Sequence, residues 1–205
     1  VQPHVVVVVG DVNSTLACAL VAKKAGIPLA HVEAGLRSGD RGMPEEINRI
    51  VTEALSDWHF VTEPAGLAHL HREGCRPQGI FHVGHVMVDN LMHRAAQLAQ
   101  ADRRALPSEA VKRSLGPRYG VVTLHRPSNV DDAAVLAGLV RALNRIALEL
   151  PLVFPVHPRT RERLGRLPLA LSPRVQLLPP QPYMSFLDLW KDAALVLTDS
   201  GGLQE

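Results

Sequence analysis

Five consecutive valines, Val5 to Val9, run straight into Gly10 and Asp11. Each valine branches at Cβ, which stiffens χ1 and favours an extended backbone over a helix. A run with no polar interruption cannot alternate between a wet and a dry face, so the segment is expected to be a strand covered on both sides, as strands of parallel sheets are. This argues for α/β layering and against a helical bundle. Five residues also fall far short of the roughly 20 apolar residues that cross a bilayer.

The remainder alternates in the same way. Residues 14–25 read as a helix stopped by Gly26, residues 29–33 as a strand, and residues 44–57 as a helix with Pro44 in its first turn. Strands follow at 58–62 and 80–83, with helices at about 64–73 and 86–105. Residues 106–119 carry two prolines, Gly116 and mixed charge, and read as a linker. Beyond it come strands at 121–124, 152–156, 175–178 and 195–198, with residues 131–150 as the clearest helix. Two incomplete Rossmann-like, doubly wound parallel sheets are expected, in domains spanning residues 1–108 and 117–205, with ligands beyond the carboxyl ends of the strands.

Composition narrows the function classes. The 205 residues are 46% hydrophobic and 20% charged, enough to bury a core and too apolar for a disordered chain. The net charge is +2, with the basic residues scattered, so a nucleic-acid surface is not expected and a small-molecule partner is. No charged-then-apolar leader opens the sequence, and a soluble cytoplasmic protein is expected. Cys18 and Cys75 lack a Cys-x-x-Cys partner and read as buried free thiols. Ten histidines invite a metal site, yet the pairs His69 and His71 or His82 and His85 are not at helical i, i+4 spacing, and no metal is expected.

The strand ends carry the unusual residues. Asp11 follows the valine strand, Glu33 ends the second, His125 ends the first strand of the second half, and Asp199-Ser200-Gly201-Gly202 ends the last. Glu45 and Glu46 lie in the first turn of a helix, where the helix dipole favours negative charge, and Ile47, Val51 and Leu55 read as its buried stripe. Taken one at a time, such carboxylates are more often structural than catalytic. Their common placement at strand ends favours one cleft.

Gly10-Asp11, His31-Val32-Glu33-Ala34-Gly35-Leu36-Arg37 and Pro44-Glu45-Glu46-Ile47-Asn48-Arg49 resemble the amino-terminal domain of UDP-N-acetylglucosamine 2-epimerases of the bacterial, non-hydrolysing type. Thr123-Leu124-His125-Arg126, Pro155-Val156-His157-Pro158, Pro180-Gln181-Pro182-Tyr183 and Thr198-Asp199-Ser200-Gly201-Gly202-Leu203-Gln204-Glu205 resemble the carboxyl-terminal domain of the same family. The resemblance implies two Rossmann-like sheets facing across a cleft in the GT-B manner. It also implies further strands before the valine run and further helices after the Ser-Gly-Gly turn, so the chain is expected to be truncated at both ends and inactive alone. A full-length protein is expected to be a homodimer that supplies N-acetylmannosamine units for envelope polysaccharide.

The implied reaction is inversion of C2 through elimination of UDP to a 2-acetamidoglucal and re-addition, with no redox cofactor. No carbonyl acidifies the C2 proton, so acid and base groups must stand on both faces of the sugar with pKa values tuned by their surroundings. The resemblance assigns Asp11, Glu33 and Glu45 to proton transfer and oxocarbenium stabilisation, and His125 with Arg126 to the β-phosphate. Ser200, Gly201 and Gly202 are expected to open a helix whose backbone N–H groups meet the diphosphate. Gln181 and Phe186 match positions around the uracil, although Phe186 by itself reads as core. Glu205 belongs to the substrate-binding set, with a following glutamate on the ribose. His157 resembles an activating-substrate position, and Arg49, one helical turn after Glu45, either orients that carboxylate or forms an i, i+4 pair on the helix surface, and is left out of the site. Three alternatives stand beside this reading: a hydrolysing 2-epimerase, an epimerase of a related UDP-sugar such as a diacetamido uronic acid, and an inactive UDP-sugar-binding segment.

Overall fold

A computed structural model describes residues 3–102, 104 and 106–204. The chain divides into two compact units, Val1–Asn90 and Leu91–Glu205. Each contains a four-stranded, all-parallel sheet.

The first unit alternates β1 (Val6–Val9), α1 (Asn13–Lys24), β2 (Leu29–Ala34), α2 (Pro44–Leu55), β3 (Trp58–Val61), α3 (Pro64–Arg72) and β4 (Ile80–His82), and its strands are ordered β1-β2-β3-β4. Right-handed crossovers in an unreversed order place the three helices on one face. The valine run is a strand as expected, and among the described residues one of its faces is covered: Val8 packs with Ala19, Ala22 and Leu29 under α1, whereas Val7 and Val9 are 58% and 54% exposed.

Where β2 meets β3 the register slips: Val32 pairs with Phe60 but Ala34 pairs with Val61, leaving Glu33 bulged out at φ +71°. Gly35 follows at φ +89°, and a Cβ there would lie 2.6 Å from the Gly66 Cα and carbonyl oxygen. Glycine is required at 35 on both counts, since the backbone is left-handed and α3 is seated directly against it.

The second unit contains α5 (Pro107–Leu115), β5 (Gly120–Thr123), α6 (Pro127–Val130), α7 (Ala133–Ala147), β6 (Leu152–Pro155), α8 (Pro158–Gly165), β7 (Val175–Leu178), α9 (Tyr183–Lys191) and β8 (Leu195–Thr198). Its sheet is ordered β7-β6-β5-β8 and is covered on both faces. Val122, Leu152 and Phe154 join Leu136, Val140, Leu143 and Ala147 of α7 on one side, while Val121 and Val153 join Tyr119 and Leu189 on the other. Full burial of a side chain such as Phe154 contributes about 1.5–3 kcal/mol.

Residues 106–119 are not the linker the composition suggested. Ser108 is buried and donates to Asp188 at 2.8 Å, and Lys112 stands 2.6 Å from Asp188 and 2.8 Å from Asp192, so α5 is bound to α9 within the second unit. The unit boundary instead falls inside α4 (Val86–Gln100). Cys18 is exposed and Cys75 half-buried in the loop after α3, so the buried-thiol reading is corrected as well. Among the described residues no helix is long and apolar enough to cross a membrane.

Candidate active site

In the first unit the site is assembled at the carboxyl ends of β1 and β2. Thr15 donates its hydroxyl to the Val9 carbonyl at 2.8 Å, tying the start of α1 to the end of β1. Asn48, buried on α2, donates to the Asp11 carbonyl at 2.7 Å and to Asn13 Oδ1 at 3.0 Å. The turn carrying Asp11 is thus held from below. An open cavity of about 490 Å³ is lined there by Asp11, Val12, Asn13, Ser14, Pro44, Glu45 and Asn48. Asp11 and Glu45 therefore share one cavity wall. Glu33 of β2 is not among these lining residues; its Oε2 lies 3.5 Å from where a Cβ on Gly10, the residue before Asp11, would stand.

The α2 helix is organised differently from its apolar pattern. Ile47 is 41% exposed and Val51 and Leu55 are half-buried, while the buried residues are Glu46, Asn48, Thr52 and Glu53. The periodicity was misleading because this helix sends its polar face under the strand ends. Glu46 accepts the N–H groups of Ser38 at 2.9 Å and Gly39 at 3.0 Å. Burial alone would push its pKa up, but those two N–H groups and Arg49 outweigh it and hold the carboxyl below its usual range. Glu46 thus organises the loop over residues 38–39, while its neighbour Glu45 lines the cavity.

Arg49 corrects a second expectation. It reaches Asp11 Oδ2 at 2.5 Å and Glu46 Oε2 at 3.2 Å, bridging the cavity carboxylate to the buried one. Its i, i+4 spacing pointed to Glu45, either as a carboxylate to orient or as a surface pair, and not to Asp11, which is 38 positions away. The signal available was its i+3 spacing from Glu46 on a helix whose polar face turns inward.

In the second unit the strand order reverses between β5 and β8, and such a switch point is where open α/β sheets bind ligands. The expected residues lie at the ends of these two strands. Asp199 receives the backbone N–H of His125 at 2.9 Å, that of Arg126 at 2.9 Å and the Asn129 amide at 3.1 Å. His125 Nδ1 stands 2.8 Å from Asp199 Oδ1, which leaves Nε2 directed away from that pair, and the imidazole is exposed. Burial raises the Asp199 pKa, yet the donors from Arg126, Asn129 and His125 outweigh it and hold the carboxyl below its usual range. Arg126 Nε donates to the Asp199 carbonyl at 2.7 Å, and its guanidinium lies 3.8 Å from where a Cβ on Gly201 would stand. His125, Arg126, Ser200 and Gly201 are thus gathered around Asp199, whose organising role the sequence reading did not assign.

Other expected residues fall differently. Residues 201–204 form a turn closed by Gln204 N–H on the Gly201 carbonyl at 2.8 Å, and Gly202 is exposed in it. The Ser200 N–H is already donated to Thr198 Oγ1 at 2.9 Å. Gln181 donates to the Pro179 carbonyl at 2.8 Å. Phe186 packs on the core beside Tyr119 and Leu189, as its bare sequence context suggested. His157 caps α8 by accepting the Arg159 N–H at 3.4 Å. Glu205 lies outside the described residues.

Comparison with known proteins gives a consistent result. The family profile described as UDP-N-acetylglucosamine 2-epimerase matches residues 1–205. The chain is 41% identical over 212 residues to the UDP-N-acetylglucosamine 2-epimerase of Methanocaldococcus jannaschii, covering all of this chain and 57% of that protein. It is 42% identical over 207 residues to the UDP-2,3-diacetamido-2,3-dideoxy-D-glucuronate 2-epimerase of Pseudomonas aeruginosa, covering all of this chain and 55% of that protein. Its fold matches the M. jannaschii UDP-GlcNAc 2-epimerase in complex with UDP-GlcNAc and UDP at a TM-score of 0.85 and 40% identity, over 98% of this chain and 56% of that one. It matches the Neisseria meningitidis UDP-GlcNAc 2-epimerase bound to UDP-GlcNAc at 0.88 and 29%, over 99% of this chain and 56% of that one. The chain spans about half the length of these relatives, and its two parallel-sheet α/β units are of the GT-B type. With the whole chain matched by the family profile and the strand-end residues in place in each unit, the protein belongs to the UDP-N-acetylglucosamine 2-epimerase family.

Proposed function

We propose that the complete protein interconverts UDP-N-acetylglucosamine and UDP-N-acetylmannosamine without net hydrolysis. The observation that carries this reading is the single cavity walled by Asp11 and Glu45, with the Glu33 carboxylate over the adjacent Gly10 turn, in a chain of this family. One carboxylate takes the C2 proton as the C1–oxygen bond to UDP breaks, giving a 2-acetamidoglucal and UDP. UDP then adds back to C1 while a proton is delivered to C2 from the opposite face. Such chemistry needs acid and base groups on both faces, which a set of three carboxylates on two strand ends and a helix can supply.

The second unit contributes the UDP site in this proposal. His125, held by Asp199, and Arg126 meet the β-phosphate as charge develops on the leaving group. Gln181, Phe186, Ser200, Gly201, Gly202 and Glu205 complete the nucleotide contacts, and His157 binds an activating second substrate. No redox cofactor takes part, and the working form is a cytoplasmic homodimer.

A second substrate is favoured almost equally by one observation. Identity to the P. aeruginosa diacetamidoglucuronate epimerase equals that to the M. jannaschii enzyme within one percentage point. The complete gene product incubated in deuterated water with each UDP-sugar separates the readings. Deuterium at C2 of an interconverted UDP-sugar is expected, and the faster substrate names the specificity. Protium retained at C2 during conversion refutes elimination. Release of free N-acetylmannosamine establishes the hydrolysing reaction, and UDP binding without turnover establishes a binding protein.

A further inference from the structure

Between the strand ends and α2 runs a buried line of polar groups that none of the roles above uses. His31 on β2 is 0% exposed and Glu53 on α2 is 1% exposed. His31 Nε2 stands 2.8 Å from the Gly10 carbonyl. A carbonyl oxygen only accepts, so Nε2 carries a proton and the ring is the donor. Its Nδ1 faces Glu53 Oε1 at 3.6 Å with no hydrogen-bond partner. Burial lowers the His31 pKa against the opposing pull of the Gly10 carbonyl and Glu53, which agrees with a neutral ring protonated on Nε2. Glu53 Oε1 accepts the Gly35 N–H at 2.7 Å, and Oε2 pairs with Arg37, which in turn grips Glu73 at 2.5 Å. Two anchors result, with no hydrogen bond between them: His31 holds the Gly10 carbonyl, and Glu53 holds the Gly35 N–H and, through Arg37, reaches Glu73 at the surface.

Their backbone partners, Gly10 and Gly35, bracket the site. Gly10 precedes Asp11, and Gly35 follows Glu33 by two residues. Gly10, Glu33 and Gly35 all have positive φ, at 67°, 71° and 89°. Glycine takes such a φ freely, whereas Glu33, the non-glycine residue among them, holds it only where the surroundings over-determine it. Buried polar groups at 31 and 53 are a costly way to fill a core that apolar side chains would fill better, so their placement calls for a purpose other than packing.

We propose that His31 and Glu53 are positioning residues for C2 epimerisation, holding the Gly10 turn and the Glu33 bulge so that Asp11 and Glu33 address one substrate. Neither side chain touches the sugar. The proposal rests on the epimerase reading of the Asp11 and Glu33 site. Because a misplacement near 1 Å costs on the order of a hundredfold in rate, the effect belongs in kcat.

The test is made on the complete gene product, with kcat and KM for UDP-N-acetylglucosamine, UDP affinity and urea unfolding measured together. His31→Met keeps the bulk and removes the donor, and it is expected to lower kcat about 10- to 100-fold with KM within about threefold. His31→Gln restores an amide donor to the Gly10 carbonyl and is expected to recover most of the loss. A folded His31→Met with kcat within twofold of wild type, or a rise in KM alone, overturns the proposal. Should His31→Met not fold, Glu53→Gln, which keeps volume but breaks the Arg37 pair, is judged by the same split. Wild-type protein that binds UDP yet turns over no UDP-amino sugar removes the epimerase reading and this proposal together, an outcome distinct from active wild type with an indifferent His31→Met.

Discussion

Gly35→Ala and Gly26→Ala place the same methyl group on two left-handed glycines of the first unit, and the comparison isolates what α3 contributes. Gly26 has φ +72° with nothing within 4 Å of where the methyl would stand, so only the backbone conformation is penalised, by about 1–2 kcal/mol. Gly35 has φ +89° and a methyl there would lie 2.6 Å from the Cα and carbonyl oxygen of Gly66 and 2.7 Å from its carbonyl carbon. Those are backbone atoms that no rotamer change can move, so an overpacking cost of about 1–3 kcal/mol is added, for about 2–5 kcal/mol in all. Urea unfolding followed by Trp58 fluorescence in a Trp190→Phe background reads the first unit selectively, since Trp58 lies on β3 and Trp190 on α9 of the second unit. The midpoint should fall further for Gly35→Ala than for Gly26→Ala, with the slope unchanged. Equal losses for the two variants would refute the argument that α3 is seated against the Gly35 backbone.

Three further expectations concern charged groups. Arg49→Ala leaves Asp11 and Glu46 without their shared cation, and a stability loss of about 2–3 kcal/mol is expected for this partly buried bridge in urea unfolding. Arg49→Lys should recover only part, because one ammonium lacks the fork that reaches both carboxylates. Asp199→Asn removes the charge that receives the His125, Arg126 and Asn129 donors, so a stability loss of about 1–3 kcal/mol and weaker UDP binding should appear together in unfolding and calorimetric titration. The Glu46 carboxyl is held below its ordinary value of 4.5 in the folded protein, so its stabilising contribution is complete above that pH and is lost as pH falls through the folded-state pKa. Glu46→Gln should therefore show a shallower loss of stability with acid than wild type in pH-dependent urea titrations.

The second unit was the more legible half. Its strands at 175–178 and 195–198 are found where the β-branched and leucine runs placed them, because both faces of that sheet are covered and apolar residues are needed on each. The first unit was harder to read at two places. The α2 helix hides Glu46, Asn48, Thr52 and Glu53 and leaves Ile47 exposed, reversing the usual meaning of an amphipathic stripe. The valine run is apolar on both faces, yet among the described residues only the face carrying Val8 is packed against others. In the second unit, residues 106–119 looked like a linker because Ser108 and Lys112 bind α9 through polar contacts that hydropathy also misses. Within the candidate site, position alone marked Asp11, Glu33 and His125 as strand-end residues, while their roles came only from the family resemblance. Arg49, Asp199, His31 and Glu53 were not assigned roles, since each acts through a partner many positions away, and single-sequence periodicity carries no such pairing.

Glu33 occupies a backbone conformation that glycine or asparagine would accept more readily. A directed-evolution screen for heat resistance alone would thus be drawn to replace it, and the winners would bring a firmer sheet and one carboxylate fewer beside Gly10. On the proposed catalytic role of Glu33, thermal selection and catalytic selection pull on this one position in opposite directions, so any stabilised descendant of the protein should first be checked at residue 33.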